Sequence, residues 1–296
     1  MVTNELPASG RLGRVAPPAP KRGILRHREL LRELLRRDLQ SRHKGSALGN
    51  LWSLLNPLLY MLVYTAVFSK FVRFPTGGPP YPVYLLSALL AWNFFAQAIS
   101  YSCNSVLDNG SLVKKVHFPW VLLTVSSVIA AFINYLIGLI LLVPLLLYYY
   151  ATGAHVGVGI PLLIAPVLAV LTFAFALGLG LILAAANVYF RDVQYMLAIV
   201  LQVWFFLTPI IYPLSVADSV PKPGHGVADR SLHIFHWVVY LNPVTWIATS
   251  FQDVIAFHRW PTHQLGLAYS TSVAVLLLLT GVLVFNRFSG RFAEEL

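Results

Sequence analysis

Six apolar runs, each about twenty residues or longer, divide this chain, and that is the length a helix needs to cross the roughly 30 Å hydrocarbon core of a bilayer. They fall at Trp52–Phe71, Tyr84–Val106, Trp120–Tyr150, Ile160–Val188, Gln194–Tyr212 and Leu265–Phe285. Inside lipid every backbone polar group must find a partner within the protein, so continuous runs of this kind are helices. The expected fold class is an all-α membrane protein with six transmembrane helices. The third and fourth runs exceed the need, so they tilt or extend beyond the bilayer. Pro57, Pro144, Pro166 and Pro209 fall inside the runs, where kinks are expected.

Composition excludes several classes. Of the 296 residues 57% are hydrophobic and 11% charged, against about 25% charged in an ordinary soluble domain. The single cysteine, Cys103, rules out an intrachain disulfide and a cysteine-built metal site. Nine histidines follow no metal-ligand spacing, so no metal or other cofactor is expected on this chain. The net charge of +10 comes largely from the 11 of 21 Lys and Arg residues that precede the first apolar run. That placement describes a flank beside anionic lipid, so no nucleic-acid partner is expected.

Residues 1–23, rich in Pro, Gly, Ala and Arg, read as a disordered tail. Residues 24–45 turn helical and amphipathic. Ile24, Leu25, Leu30, Leu31, Leu34, Leu35 and Leu39 share one face; Arg26, Glu29, Glu33, Arg36 and Arg37 share the opposite one. Such a helix lies along the membrane surface rather than crossing it. Residues 46–296 form the membrane domain, entered through Gly45, Ser46 and Gly49.

Placing both termini inside gives the cytoplasm sixteen basic residues and the outside five: Lys70, Arg73, Lys222, Arg230 and Arg259. This agrees with the positive-inside rule. Between the fifth and sixth runs, Leu232–Leu241 and Val244–Phe257 are each too short to cross and are parted by Asn242-Pro243. They read as two external half-helices in a re-entrant hairpin; the alternative is a loop lying on the membrane surface.

None of the eleven Asp and Glu residues falls within a run, which argues against proton coupling. No phosphate-binding G-x-x-x-x-G-K-[ST] loop is present, so uphill transport would draw energy from another subunit. A membrane enzyme would need a placed carboxylate or histidine, and of the external histidines only His233 and His236 are candidates beside their interfacial or packing roles. Aromatic and amide side chains are what the runs do contain. Trp52, Asn56, Tyr60, Tyr64 and Phe68 share a side of the first; Gln202, Trp204, Phe205 and Tyr212 lie close together in the fifth. Aromatic faces stack on sugar rings while amides and phenols bond hydroxyls, so these residues could line a glycan pore. They could equally be lipid-facing or helix-packing side chains.

The stretch from Arg37 to Pro57 (RDLQSRHKGSALGNLWSLLNP) resembles the opening of ABC-2 type permeases of polysaccharide exporters. Matching segments follow in order: Val67-Phe68-Ser69, NGSLVKKVHFP from Asn109 to Pro119, Arg191-Asp192-Val193, Thr208–Pro213 (TPIIYP) and Leu241-Asn242-Pro243. The resemblance covers nearly everything from about residue 25 onward. It implies a cytoplasmic-membrane permease that pairs as a homodimer and docks two copies of an ABC ATP-binding subunit, which holds the ATP and magnesium. The cargo it implies is a polyprenyl-pyrophosphate-linked polysaccharide of the O-antigen, teichoic acid or galactan type.

The same resemblance assigns residues. Asn109–Phe118 becomes a coupling helix, with Asn109, Leu112, Lys114, Lys115 and Phe118 as contacts and Arg191 and Asp192 in support. Arg36, Arg37, Arg42 and Lys44 become candidates to meet a pyrophosphate headgroup, beside a purely lipid-anchoring role. The first and fifth spans become channel walls, and the external half-helices a gate at the outer mouth. The insert Lys222–Arg230 departs from the family by being longer and more polar. Two rivals remain at this stage: an ABC-2 exporter of a drug or small lipid, and a polytopic glycosyltransferase.

Overall fold

The computed structural model describes residues 24–42, 46, 48–72, 77–115, 118–154, 156, 159–218 and 227–295. All regular structure among them is helical. The proposed tail, Lys44 and positions 222–226 of the insert lie outside the described residues, as do the side chains of Arg42, Lys114 and Lys115.

The chain opens with α1 (Ile24–Arg42), α2 (Trp52–Tyr64, continuing as a π-helical turn through Val72) and α3 (Tyr81–Asn104). A 3-10 turn at Leu107–Asn109 leads to the short α4 (Gly110–Lys115). Then come α5 (Val121–Ala151), α6 (Ala165–Tyr189, led in by a 3-10 segment from Ile160) and α7 (Val193–Phe206). The last third holds α8 (Ser215–Asp218), α9 (Val227–Leu241), α10 (Pro243–Phe251), α11 (Gln264–Ser289) and α12 (Phe292–Glu295).

Among the described residues, five helical stretches are long and apolar enough to cross a membrane: Trp52–Ser69, Tyr81–Asn104, Val121–Ala151, Ile160–Tyr189 and Gln264–Ser289. The run expected as the fifth span forms a shorter helix. α7 has 14 residues, which at 1.5 Å per residue is about 21 Å, and the chain from Leu207 to Pro213 continues without helix. Pro209 explains the stop, since proline has no N–H to give and clashes with the preceding turn. Pro166 likewise stands in the first turn of α6, where its missing N–H costs nothing. Of the four prolines expected to kink spans, only Pro57 and Pro144 lie inside helices.

α3 is the axis of the bundle. It packs against α2, α5, α6 and α7, and α6 carries α11 on its other side. Most of the α3 surface is buried, including Tyr84, Phe94, Phe95 and Ile99. α6 and α11 meet through glycines. A Cβ added to Gly281 would lie 2.3 Å from the Gly178 carbonyl oxygen, and one added to Gly178 would lie 2.5 Å from the Leu277 backbone. Bare backbones let the two helices touch, which is how apolar helices gain contact where lipid removes the hydrophobic drive.

α1 is amphipathic as its sequence indicates. Leu34 is buried in a cluster with Val106, Leu123, Leu181 and Phe285, and Leu30 packs against it. Glu29, Arg32, Glu33, Arg36 and Arg37 are exposed. Part of the apolar face of α1 is thus spent on the protein, chiefly on α5. α9 and α10 form the expected pair of short helices. Asn242 parts them, its side-chain oxygen accepting from the Val244 N–H as an N-cap, with Pro243 in the first turn of α10.

Candidate functional site

A groove opens between α2, α3 and α7. On α2, Tyr60 stacks on Tyr64 with ring centroids 6.0 Å apart and planes inclined by 16°. Tyr64 stacks in turn on Phe205 of α7 at 5.9 Å. Trp92 of α3 closes on Phe205 at 5.8 Å. Between these rings stand the amides of Asn93 and Gln202 and the hydroxyl of Ser100, around a cavity of about 370 Å³. Tyr60 is 51% exposed, so the groove is open on this subunit's surface.

None of the groove's lining residues carries a charge. Ring faces with amides and hydroxyls between them suit a neutral ligand that has apolar faces and hydroxyl edges, which is the chemistry of a saccharide.

The structure sorts the sequence candidates. Tyr60, Tyr64, Gln202 and Phe205 come together at the groove. Phe68 packs on Tyr64 at 6.1 Å, and Asn56 and Trp52 continue along α2, both exposed. Trp204 is not part of the groove: its indole N–H donates to Asn242 Oδ1 at 2.9 Å, and its ring meets the edges of Trp92 and Phe95. Tyr212 is buried, its hydroxyl donating to the Phe206 carbonyl. Arg191 and Asp192 are exposed between α6 and α7. Leu112 and Phe118 pack against the Leu34 cluster, whereas Asn109 points inward and is 6% exposed.

Sequence reasoning missed the contribution of α3. Trp92, Asn93 and Ser100 lie in a run whose hydropathy marks it only as a span. The signal was present in the spacing of Asn93, Ala96, Ser100 and Asn104, which fall within about 80° of one another on a helix and are the partly open positions of a buried helix.

At the other end of α7, the irregular stretch Leu207–Pro213 is held by side chains. Tyr81 and Tyr84 of α3 donate to the carbonyls of Ile211 (2.8 Å) and Tyr212 (3.0 Å). Gln252 donates to the Pro209 carbonyl (2.9 Å). Asn242 donates to Thr208 Oγ1 (2.9 Å). Buried non-helical backbone persists only where protein groups satisfy it, as they do here. Removing one such donor leaves a buried carbonyl bare, at about 1–2 kcal/mol. Gln252→Leu is therefore expected to lower the thermal unfolding midpoint of the purified protein, whereas exposed Gln264→Leu leaves it unchanged.

The hairpin end also carries polar pairs. Asp253, 4% exposed, accepts from Arg259 through Nε (2.9 Å) and Nη2 (2.7 Å), and from the Thr262 backbone and hydroxyl. His236 contacts the Ala217 carbonyl at 2.8 Å and stacks on Tyr240 at 4.3 Å. Burial, and then its hydrogen bond to Asp218, push the Tyr240 phenol up to about 12. Tyr240 therefore stays a neutral donor across the physiological range. These are packing and tethering roles.

Comparison with known proteins agrees with this geometry. Residues 29–222 match the ABC-2 type transporter family. The chain is 33% identical over 276 residues to the O-antigen export system permease protein RfbA of Myxococcus xanthus, covering 93% of this chain and 98% of the relative. It is 29% identical to the O-antigen export system permease protein RfbA of Klebsiella pneumoniae over 90% of this chain and 95% of that one. A more distant relative is the polysialic acid transport protein KpsM of Escherichia coli, at 25% identity over 64% of this chain and 70% of the relative. A family match across most of the sequence, joined to a nearly full-length relative at this identity, leaves one assignment: the chain belongs to the ABC-2 type transporter family.

Proposed function

We propose that this protein is the permease subunit of an ATP-driven exporter that moves a polyprenyl-pyrophosphate-linked polysaccharide across the cytoplasmic membrane. The observation that carries this reading is the uncharged groove of stacked rings and amides along α2, α3 and α7. Its full-length relatives are O-antigen export permeases, which supports the same cargo class. A homodimer would set two such grooves face to face and enclose a channel, with the lipid remaining in the bilayer as sugars pass.

In this reading α7 and the clasped stretch after it together make the fifth of six crossings, both termini are cytoplasmic, and α1 lies at the cytoplasmic interface. α9 and α10 dip into the outer leaflet as the outer gate. Residues 1–23 form the tail, 24–45 the interface helix and 46–296 the transport domain. Two ABC ATP-binding subunits, which bind ATP and magnesium, dock on α4 with Lys114 and Lys115 and on the Arg191–Asp192 turn. Exposed Arg36 and Arg37, with Arg42 and Lys44, meet the pyrophosphate.

Depletion of the protein, followed by analysis of lipid-linked glycans on the cytoplasmic side, tests the reading. A polyprenyl-linked polymer accumulates there if it is right. If cytoplasmic and surface glycans are both unchanged, the cargo is a drug or small lipid instead. The groove has its own test. Tyr64→Ala removes the central ring of the groove, an aromatic face on which a sugar would stack at about 0.5–1.5 kcal/mol. The expected result is about a tenfold fall in glycan export with the protein still folded, measured as surface polymer per permease.

A further inference from the structure

α12 has four residues, Phe292–Glu295, far fewer than the about 12–15 an isolated helix needs to hold itself together. Packing therefore keeps it in place. Arg291, Glu294 and Glu295 are exposed, whereas Phe292 is fully buried. Its ring stacks on Trp120, with centroids 5.9 Å apart and planes inclined by 19°. It lies edge-to-face with Tyr189 at 6.1 Å and with Phe285 at 5.4 Å.

The three partners sit at telling places in the chain. Trp120 is the N-cap of α5 and follows the α4 connection, whose Leu112 and Phe118 pack against the same cluster. Tyr189 is the last residue of α6, parted from the Arg191–Asp192 turn only by Phe190, and donates its hydroxyl to the Phe288 carbonyl of α11 at 3.2 Å. Phe285 belongs to α11, the helix that meets α6 at Gly178 and Gly281. α12 itself packs against α4 and α6. One ring thus touches the exit of the first proposed docking segment, the approach to the second, and the helix pair behind them.

We infer that Phe292 is a positioning residue for ATP-driven export. It holds α4 and the Arg191–Asp192 turn at a fixed separation and ties both to α11. A six-residue helix and a turn have too little length to carry a movement into the membrane by their own stiffness. Close-packed side chains have low compressibility and transmit strain, whereas a cavity among them absorbs it. A displacement imposed at either segment therefore reaches α6 and α11 as one movement. The inference rests on the docking reading above and adds the residue that joins its two parts.

The test compares Phe292→Ala with Leu168→Ala in the full-length permease. Leu168 is also buried but lies near the opposite end of α6, so its loss opens a cavity away from the docking segments. Export is measured in cells as surface polymer per permease. ATP hydrolysis is measured on the permease purified with its ATP-binding subunit into lipid nanodiscs. Phe292→Ala is expected to lower export at least tenfold while hydrolysis stays within twofold of the unaltered complex. Leu168→Ala is expected to lower the thermal unfolding midpoint and leave the ratio of export to hydrolysis unchanged. Export and hydrolysis that fall in proportion, or a Leu168→Ala ratio that falls as far as that of Phe292→Ala, leave Phe292 a packing role and overturn the inference. Should Phe292→Ala fail to assemble, Phe292→Leu keeps the site filled without a flat ring. Its export is expected to fall about threefold at unchanged hydrolysis, and unchanged export overturns the inference while sparing the export reading. An unaltered complex that hydrolyses ATP but exports no glycan overturns both.

Discussion

Gly281→Leu is expected to abolish recovery of folded protein. The first carbon of any side chain at this position would lie 2.3 Å from the Gly178 carbonyl oxygen, and 3.1 and 3.2 Å from the Gly178 carbonyl carbon and Cα. Backbone cannot rotate aside as a side-chain tip can, so α6 and α11 would have to separate. Their contact is the most extensive between any two helices here, and moving them apart forfeits dispersion along its length. Overpacking alone costs about 1–3 kcal/mol, and loss of the seam takes the total beyond that range. Gly290→Ala is the control, because nothing lies within 4 Å of a Cβ there. Size-exclusion profiles of detergent-extracted protein distinguish the outcomes. A monodisperse Gly281→Leu peak with unaltered thermal stability would show that the helices do not meet as described.

The second large effect is expected at Asn242, which ties three elements with one side chain. Its Oδ1 accepts from the Trp204 indole at 2.9 Å and from the Val244 N–H at 3.0 Å, and its Nδ2 donates to Thr208 Oγ1 at 2.9 Å. Asn242→Ala strips the α10 cap, worth about 1 kcal/mol, and leaves the part-buried Trp204 indole N–H without its acceptor and Thr208 Oγ1 without its donor, at about 1–3 kcal/mol in sum after relaxation. The expected loss is about 2–4 kcal/mol. Asn242→Ser restores the cap but cannot reach Trp204 or Thr208, so it recovers only about 1 kcal/mol. Chemical denaturation in mild detergent reads the series. If serine rescues fully, the α7 tether contributes nothing and the cap accounts for the effect.

These expectations show which parts of the molecule were legible in the amino-acid sequence. Long apolar runs announce their helices because lipid leaves the backbone no other partner, so α2, α3, α5, α6 and α11 were read at nearly their observed bounds. The amphipathic alternation of α1 and the Asn242-Pro243 break between α9 and α10 were equally plain. The early end of α7 was visible in Pro209 but was overridden by the apolar run that continues to Tyr212. Which aromatic faces the groove depends on one step of about 100° around a helix. That step separates Phe205, inside it, from Trp204, bonded to Asn242. The α3 wall and the inward-facing Asn109 depend on neighbours distant in sequence, such as Arg37, Asp38 and Ser127, and no local pattern announces a cavity assembled from four elements.

The burial of α3 also has a bearing on how the chain is made. Translation delivers α2 and α3 before the helices that enclose them, and these two are less apolar than α5 or α6. Ser102 and Asn104 of α3 gain their neighbours Gly180 and Asn187 only when α6 is in place. A ribosome-bound chain halted after α3 therefore presents the span that ends most buried to lipid with only α2 beside it. Cleavage of newly made chains by membrane proteases is therefore expected to fall as α5 and α6 are added around α3.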